Sequence, residues 1–256
     1  MPIQTIHLHG HELEYEQIPA LRPDRPPLVF LHEGLGSLSA WRDFPARVAA
    51  TTGCSALVWS RAGYGRSSPP HGPFHVRYMH DEALTVLPAL LDRLAIGRPL
   101  LVGHSDGASI ALIHAGGSGR AVAGLALLAP HVFVEDLSVR SIAAARDSFA
   151  ATDLPARLAR HHRDPEATFR RWNDIWLHPD FRGWNIEQYL PCIGCPVLAL
   201  QGRDDEYGTA AQLEAIHAQV PGEVAVRVLA DCRHAPHKDQ PDATLAALTE
   251  FIAQVR

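Results

Sequence analysis

The fold is decided by a stretch near the middle of the chain that reads Leu100-Leu101-Val102-Gly103-His104-Ser105-Asp106-Gly107. The apolar run 99–102 predicts a buried strand, and the run 108–113 predicts a helix. Between them stands Gly103-x-Ser105-x-Gly107, the spacing of a nucleophile elbow, in which a serine occupies a sharp turn after a strand. Side chains in place of the two glycines would collide with neighbouring backbone. The N-terminus of the following helix offers unpaired N–H groups where negative charge would form on a reacting oxygen.

The composition favours a globular protein that has neither nucleic acid nor membrane as a partner. The 256 residues suit one α/β domain with an insertion, and 46% apolar with 20% charged residues is typical of a folded, soluble chain. The net charge is −5, so no basic surface for nucleic acid is expected. The first residues show no signal-peptide pattern, and no apolar run reaches membrane-spanning length, which predicts a cytoplasmic protein. The sequence leaves a homodimer open.

No cofactor and no metal is expected from the motifs. Cys192-Ile-Gly-Cys195 has C-x-x-C spacing, but it precedes a predicted strand and no second such pair exists. His32-Glu33 begins like a metalloprotease helix motif, yet position 36 is a glycine where the second histidine would stand. Neither a phosphate-binding Walker motif nor a dinucleotide fingerprint occurs.

Alternating strand and helix patterns predict a mostly parallel sheet with helices on both faces. The alternation on either side of His9-Gly10-His11 predicts an opening antiparallel hairpin. Further strands are predicted at 28–32, 56–59, 99–102, 122–129, 196–200 and 224–229, and further helices at 41–52, 78–94, 209–219 and 242–254.

The span 131–195 is too long for a simple crossover, so we interpret it as an inserted helical cap on a core formed by 1–130 and 196–256. Helices are predicted at 139–151 and 153–161. A third begins at Asp164-Pro165-Glu166, which combines an N-cap aspartate, a proline at the first helical position and an early glutamate. Its aromatic stripe includes Trp172 and Trp176, which we expect to pack, and partly to face a substrate if the cap covers the elbow.

A serine, an acidic residue and a histidine follow three predicted strands in that chain order. Acyl transfer needs a nucleophile, an imidazole that takes its proton and a carboxylate that orients the imidazole. Open α/β sheets present their ligand crevice at the carboxyl ends of the strands. These features resemble the α/β-hydrolase superfamily over nearly the whole chain. The residues that carry the resemblance are His32-Glu33-Gly34, Gly63-Tyr64-Gly65-Arg66-Ser67, the elbow, and the Asp/His pair after the last two strands.

The resemblance implies an α/β-hydrolase fold, with a mostly parallel central sheet, helices on both faces and a helical cap inserted after the sixth strand. It also implies that Ser105 is the nucleophile and His234 the general base, with His237 as the fallback. Family members often place the acid three residues beyond a glycine. That spacing selects Asp205, with Asp204 as the alternative.

The oxyanion hole implied by the resemblance consists of the backbone N–H groups of Gly34 and Asp106. In the superfamily's strand order, the third strand lies between the fourth and the fifth, which brings Glu33 and Arg61 beside Ser105. Because a free Glu33 carboxylate would oppose the oxyanion, we expect Arg61 to hold it in a bidentate pair. Without that pair, Arg61 would be free to bind a substrate carboxylate.

The sequence therefore predicts a serine hydrolase that cleaves a small ester, lactone or thioester through an acyl-enzyme. The predicted substrate contacts are Glu33, Arg61, Trp172 and Trp176. One alternative is a C–C bond hydrolase acting on keto acids from aromatic ring fission. Another is a ligand-binding protein with a disused triad, because fold resemblance alone does not choose the chemistry.

Overall fold

A computed structural model describes residues 2–255 of the chain. Within them, eight strands form one sheet in the order β1-β2-β4-β3-β5-β6-β7-β8. The β1–β2 and β2–β4 pairs are antiparallel, and all other pairs are parallel. The strands are β1 Gln4–Leu8, β2 His11–Ile18, β3 Leu28–Leu31, β4 Ala56–Trp59, β5 Leu100–His104, β6 Gly124–Leu128, β7 Val197–Gly202 and β8 Val224–Leu229.

The same residues contain ten α-helical segments. They are α1 Phe44–Thr52, α2 Tyr78–Asp81, α3 Leu87–Arg93, α4 Asp106–Gly117, α5 Asp136–Ala151, α6 Leu154–Ala159, α7 Pro165–Trp176, α8 Ala211–Gln219, α9 Pro236–Asp239 and α10 Pro241–Gln254. Short 3₁₀ helices add Ser39–Trp41, Pro179–Gly183 and Glu187–Cys192. No helix within residues 2–255 combines the length and the apolar composition needed to cross a membrane.

Helices cover both faces of the sheet, so its central strands are buried along their whole length. Successive side chains of a strand point to opposite faces. In β3, Val29 and Leu31 therefore belong to the core on one face, while Leu28 and Phe30 belong to the core on the other. This arrangement explains why these strands appear in the sequence as continuous apolar runs rather than as alternating patterns.

The strand order confirms the expectation from the resemblance: β3 lies between β4 and β5. Because these three strands are parallel, their carboxyl ends meet at one edge of the sheet. The register pairs Phe30 with Val58 on one side and Leu31 with Gly103 on the other. The loops that follow β3, β4 and β5 are therefore neighbours, and this edge holds the candidate site.

Two predicted helices are interrupted in the structure, in each case near a proline. The helix expected at 41–52 begins only at Phe44, because Arg42 has a φ of +56°, outside the helical region; Pro45 lies in the first turn of α1. The helix expected at 78–94 contains a π-helical turn, Glu82–Val86, between α2 and α3. Pro88 explains this turn, because it has no N–H to donate and its ring would clash with the carbonyl one turn earlier.

The segment between β6 and β7 contains the three predicted helices, α5, α6 and α7. The Asp164 side chain accepts a hydrogen bond from the Ala167 N–H at 2.9 Å, as an N-cap should. The aromatic stripe of α7 is buried, and Trp172 and Trp176 are 7% and 2% exposed. The division into a core and a cap with boundaries at 131 and 195 stays a prediction.

Candidate active site

Ser105 lies in a strained turn between β5 and α4. Its φ of +52° and ψ of −117° are unusual for a residue with a side chain, and such strain is concentrated at functional sites. A Cβ atom at Gly103 would come within 2.4 Å of the Gly107 carbonyl oxygen, and one at Gly107 within 2.0 Å of the Leu31 carbonyl oxygen. This confirms the expectation that only glycine fits at both positions, because each contact is with backbone.

The structure brings Ser105, His234 and Asp205 into one chain of hydrogen bonds. His234 Nε2 lies 2.9 Å from Ser105 Oγ, and His234 Nδ1 lies 2.8 Å from Asp205 Oδ1. A carboxylate only accepts, so we assign the imidazole proton to Nδ1, which leaves the Nε2 lone pair to accept from the Ser105 hydroxyl. The same Oδ1 also accepts from the backbone N–H groups of Tyr207 (2.8 Å) and Gly208 (3.3 Å).

The charges around this hydrogen-bond chain favour the protonated form of His234. Burial lowers the pKa of His234, but the Asp205 carboxylate outweighs it with help from Glu206 and Glu33, so the pKa lies above 6.5. Burial raises the pKa of Asp205, and the neighbouring imidazole with the Tyr207 N–H more than reverses this, so that pKa lies below its usual value. Asp205 is therefore a carboxylate at neutral pH.

The alternatives left open by the sequence do not reach the serine. Asp204 is exposed, and its backbone N–H donates to the Cys232 carbonyl. His237 is buried with its ring centroid 4.7 Å from that of Trp41, and neither ring nitrogen has a hydrogen-bond partner among the described residues.

In residues 2–255, no loop or cap hydrogen bond uses the backbone N–H groups of Gly34 and Asp106. Gly34 lines the same cavity as Ser105, and Asp106 follows Ser105 in the chain. Gly34 follows β3, and a Cβ atom there would lie 3.2 Å from Asp106 Oδ2, so the two loops touch. The same Cβ atom would lie 2.2 Å from the Trp172 ring, which leaves room for glycine only. The positions fit the oxyanion-hole donors that the resemblance implies.

The expected bidentate pair between Arg61 and the Glu33 carboxylate is wrong. The Arg61 guanidinium donates to the backbone carbonyls of His32 (2.8 Å) and Glu33 (3.1 Å). The Glu33 side chain turns the other way, where its carboxylate lies 3.4 Å from Lys238 Nζ and 3.4 Å from His104 Nδ1. The reason is that the carbonyls point inward from this loop and the Glu33 side chain points outward to the cavity.

A cavity of about 400 Å³ opens over Ser105 and His234. Three of the predicted substrate contacts line it, namely Glu33, Trp172 and Trp176. Arg61 does not line the cavity, because its side chain is only 3% exposed and its guanidinium donates to backbone carbonyls.

The cavity-lining residues that the sequence interpretation missed include His131, Tyr207 and Lys238. The His131 ring centroid is 5.6 Å from that of His234. Burial, assisted by the neighbouring imidazole, lowers the pKa of His131 to about 3, so this histidine is neutral at pH 7. A signal existed, because His131 follows the end of β6 at the same edge of the sheet as the other site residues.

A buried hydrogen-bond chain connects the elbow to α7. The Tyr78 hydroxyl donates to Asp106 Oδ2 at 2.6 Å, and Trp176 Nε1 donates to the Tyr78 hydroxyl at 3.2 Å. Burial raises the pKa of Asp106. The Trp176 indole, which lines the cavity, is thus connected by hydrogen bonds to the residue that follows Ser105.

Known proteins that resemble this chain include enzymes of several specificities. An sn-1-specific diacylglycerol lipase, ABHD11, from Danio rerio is 28% identical over 194 residues, which are 75% of this chain and 55% of the lipase. A proline iminopeptidase from Lactobacillus helveticus is 31% identical over 105 residues, 41% of this chain and 35% of the peptidase. The chain thus spans little more than half the length of the first and about a third of the second.

Solved structures show the same fold. The enol-lactonase from Burkholderia xenovorans LB400 matches with a TM-score of 0.78 at 20% identity, over 98% of this chain and 100% of that chain. The esterase RhEst1 from Rhodococcus sp. ECU1013 matches with a TM-score of 0.74 at 20% identity, over 100% of both chains. The model of the alpha/beta hydrolase family matches residues 28–248, from β3 to α10. With that match across most of its length, the chain belongs to the alpha/beta hydrolase family.

Proposed function

We propose that the protein is a serine hydrolase that cleaves a small ester, lactone or thioester through an acyl-enzyme. The observation that carries the proposal is the continuous hydrogen-bond chain from Ser105 through His234 to Asp205, which opens into the cavity. A disused triad has no need of this alignment or of the strained serine backbone that presents the hydroxyl.

In the first half-reaction, Ser105 Oγ attacks the substrate carbonyl carbon while its proton passes to His234 Nε2. The C=O electron pair moves onto the oxygen, which accepts hydrogen bonds from the Gly34 and Asp106 N–H groups. When the tetrahedral intermediate collapses, the bond to the leaving group breaks and His234 returns its proton to that group. Asp205 stabilises the imidazolium throughout and keeps its own charge.

In the second half-reaction, water takes the place of the serine. It gives a proton to His234 Nε2 and attacks the acyl carbon, and collapse returns that proton to Ser105 Oγ. The carboxylic acid product leaves and the free enzyme is restored. Both halves use the same base and the same oxyanion donors, which is why one fixed geometry suffices.

The names of similar proteins support ester-type substrates, since they include a lipase, an esterase and an enol-lactonase beside a proline iminopeptidase. Keto-acid cleavage would need a cation for the substrate carboxylate. Arg61 is buried beneath the loop. The cations that line the cavity are paired with carboxylates: Lys238 with Glu33, Arg233 with Glu206 and Arg157 with Asp153. None of these observations supports the C–C bond hydrolase.

The test is covalent labelling of Ser105 with a fluorophosphonate, followed by intact mass and peptide mapping. One adduct is expected, on Ser105, and Ser105→Ala should remain unlabelled and lose about three to six orders of magnitude in turnover. Ser148→Ala, an exposed serine on α5, is the matched control and should behave as wild type. Labelling elsewhere, or wild-type turnover by Ser105→Ala, would overturn the proposal.

The substrate class is then measured with a panel of p-nitrophenyl esters of graded length, lactones, thioesters, a ring-fission keto acid and proline p-nitroanilide. We expect Ser105-dependent turnover of the esters or thioesters. Turnover confined to the keto acid or to the anilide would replace the proposed reaction with C–C bond or peptide hydrolysis.

A further inference from the structure

Arg61 follows β4, is buried, and makes three hydrogen bonds to the loop that carries Gly34. Its backbone N–H donates to His32 Nε2 at 3.1 Å. Its guanidinium donates through Nη1 to the His32 carbonyl at 2.8 Å and through Nη2 to the Glu33 carbonyl at 3.1 Å. One arginine therefore binds three acceptors of the segment 32–33.

The direction of the two carbonyls is unusual. Consecutive carbonyls of an extended strand point to opposite sides, but those of His32 and Glu33 both point at the same guanidinium. The chain therefore leaves strand geometry here. The Glu33 carbonyl also accepts from His32 Nδ1 at 2.8 Å and from the Gly36 N–H at 3.1 Å, so its direction is fixed by three donors.

The direction of the Glu33 carbonyl determines the direction of the next N–H. The Glu33–Gly34 peptide is trans, and in a trans peptide the C=O and N–H bonds point in opposite directions. Because the Glu33 carbonyl points inward to Arg61, the Gly34 N–H points outward, toward the cavity that Gly34 lines.

The guanidinium also approaches the second donor. Arg61 Nη2 lies 4.0 Å from Asp106 Oδ2, and the two side chains are 3% and 0% exposed. Removing the cation alone would leave a buried, unbalanced carboxylate beside the elbow, which is strongly destabilising. One side chain thus contacts the segments that present both oxyanion donors.

We propose that Arg61 is the positioning residue of the oxyanion hole, which it forms by clamping the His32 and Glu33 carbonyls so that the Gly34 N–H faces the reacting oxygen. The inference rests on the proposed serine hydrolase function and adds a role that does not involve contact with substrate. Lysine cannot replace this arginine, because an ammonium is a point charge and does not span two carbonyls with a planar fork.

The test compares a p-nitrophenyl ester with its thiono analogue, in which C=S replaces C=O. Sulfur is a weak hydrogen-bond acceptor, so the ratio of the two kcat values reports the hydrogen bonds of the oxyanion hole. Arg61→Lys keeps the charge near Asp106 and removes the two-pronged clamp. Arg25→Lys is the matched control, because Arg25 also donates to two consecutive carbonyls, of Ile252 and Ala253, far from the site.

We expect Arg61→Lys to lower kcat for the oxo ester about 10- to 100-fold while KM changes less than about twofold and thiono-ester turnover changes less than about threefold. The oxo/thiono ratio therefore falls. Arg25→Lys should keep the wild-type ratio. Rates are expressed per active site titrated with a phosphonate, so partial unfolding, which slows both esters equally, does not imitate the effect.

If Arg61→Lys does not fold, the comparison moves to Asp106→Asn and Asp106→Asn/Arg61→Gln, a pair that leaves no unbalanced buried carboxylate at Asp106. The ratio should fall in the double variant relative to the single one. An unchanged ratio in either comparison overturns the role of Arg61. If the wild type labels at Ser105 but shows no oxo preference, the clamp is refuted and the serine mechanism stands. If Ser105 is neither labelled nor required, the proposed function fails instead.

Discussion

The Asp205→Asn variant tests how the acid supports His234. In this structure one oxygen, Oδ1, accepts from His234 Nδ1 and from the N–H groups of Tyr207 and Gly208, while Oδ2 has no hydrogen-bond partner among the described residues. In the variant, two backbone donors require an oxygen at the Oδ1 position. The amide NH₂ therefore takes the place of Oδ2, and the amide oxygen still accepts from the imidazole. The substitution removes the charge and keeps the tautomer.

Loss of the charge alone and a change of the imidazole tautomer lower turnover by different factors. An amide that imposes the wrong tautomer costs about 10⁴ in turnover. Loss of the charge alone removes the attraction between a carboxylate and an imidazolium, about 4 kcal/mol for unit charges about 4 Å apart at an effective dielectric constant of 20. That energy corresponds to about 10³ in turnover. We therefore expect kcat to fall about 10²- to 10³-fold.

The assay is kcat on the best p-nitrophenyl ester, combined with ¹⁵N NMR of the His234 ring to locate the proton. The expected spectrum shows a protonated Nδ1 in both proteins. Asp204→Asn, at the exposed neighbour, is the control and should retain activity. A loss of 10⁴ or more together with a protonated Nε2 would refute the shared-acceptor reasoning.

Three further predictions concern pH and specificity. Because His234 must be neutral to take the Ser105 proton and its pKa is raised, kcat/KM should rise with pH to an inflection above 6.5. Asp205→Asn should move that inflection to lower pH, and an unmoved inflection contradicts the assignment. Trp176 contacts both the active-site cavity and a neighbouring cavity of about 360 Å³. Trp176→Ala should therefore favour longer acyl chains, by up to about fourfold in kcat/KM per added CH₂, about 0.8 kcal/mol, and an unchanged length optimum would exclude this. Burial raises the pKa of Glu82 to about 7 despite Arg61. Its stabilising contribution is therefore present at low pH and lost as pH rises through 7, so Glu82→Gln should raise Tm relative to wild type more at pH 8 than at pH 5. An equal shift at both pH values would contradict this.

Most of the fold could be predicted from the sequence because its signals are local. The buried strands, the elbow and the Asp164 N-cap each follow from a few adjacent residues whose sterics and hydrogen bonds do not depend on the rest of the chain. The π-helical turn near Pro88 was missed although its cause is also local. A π-helical turn contains one residue more than an α-helical turn. The apolar pattern continues through residues 82–86, so it does not reveal that extra residue.

The candidate triad was selected by the resemblance and by spacing along the chain. The structure brings Ser105, Asp205 and His234 within hydrogen-bond distance because parallel strands deliver their following loops to one edge. The choice between Asp204 and Asp205 as the partner of His234 depends on the tertiary structure and not on spacing. Adjacent residues of a turn point in different directions, and only the position of the partner imidazole distinguishes them.

What the sequence determined by itself is the succession of strands and helices along the chain, the serine turn and several of the residues at the carboxyl edge of the sheet. What only the tertiary structure decided is how the charged side chains of that edge are paired. Glu33 and Arg61 are neighbours, as expected, yet one turns to Lys238 and the other to backbone carbonyls. The physical reason is that a buried guanidinium binds whichever acceptors surround it, and these are set by loops distant in sequence that meet only in the folded chain.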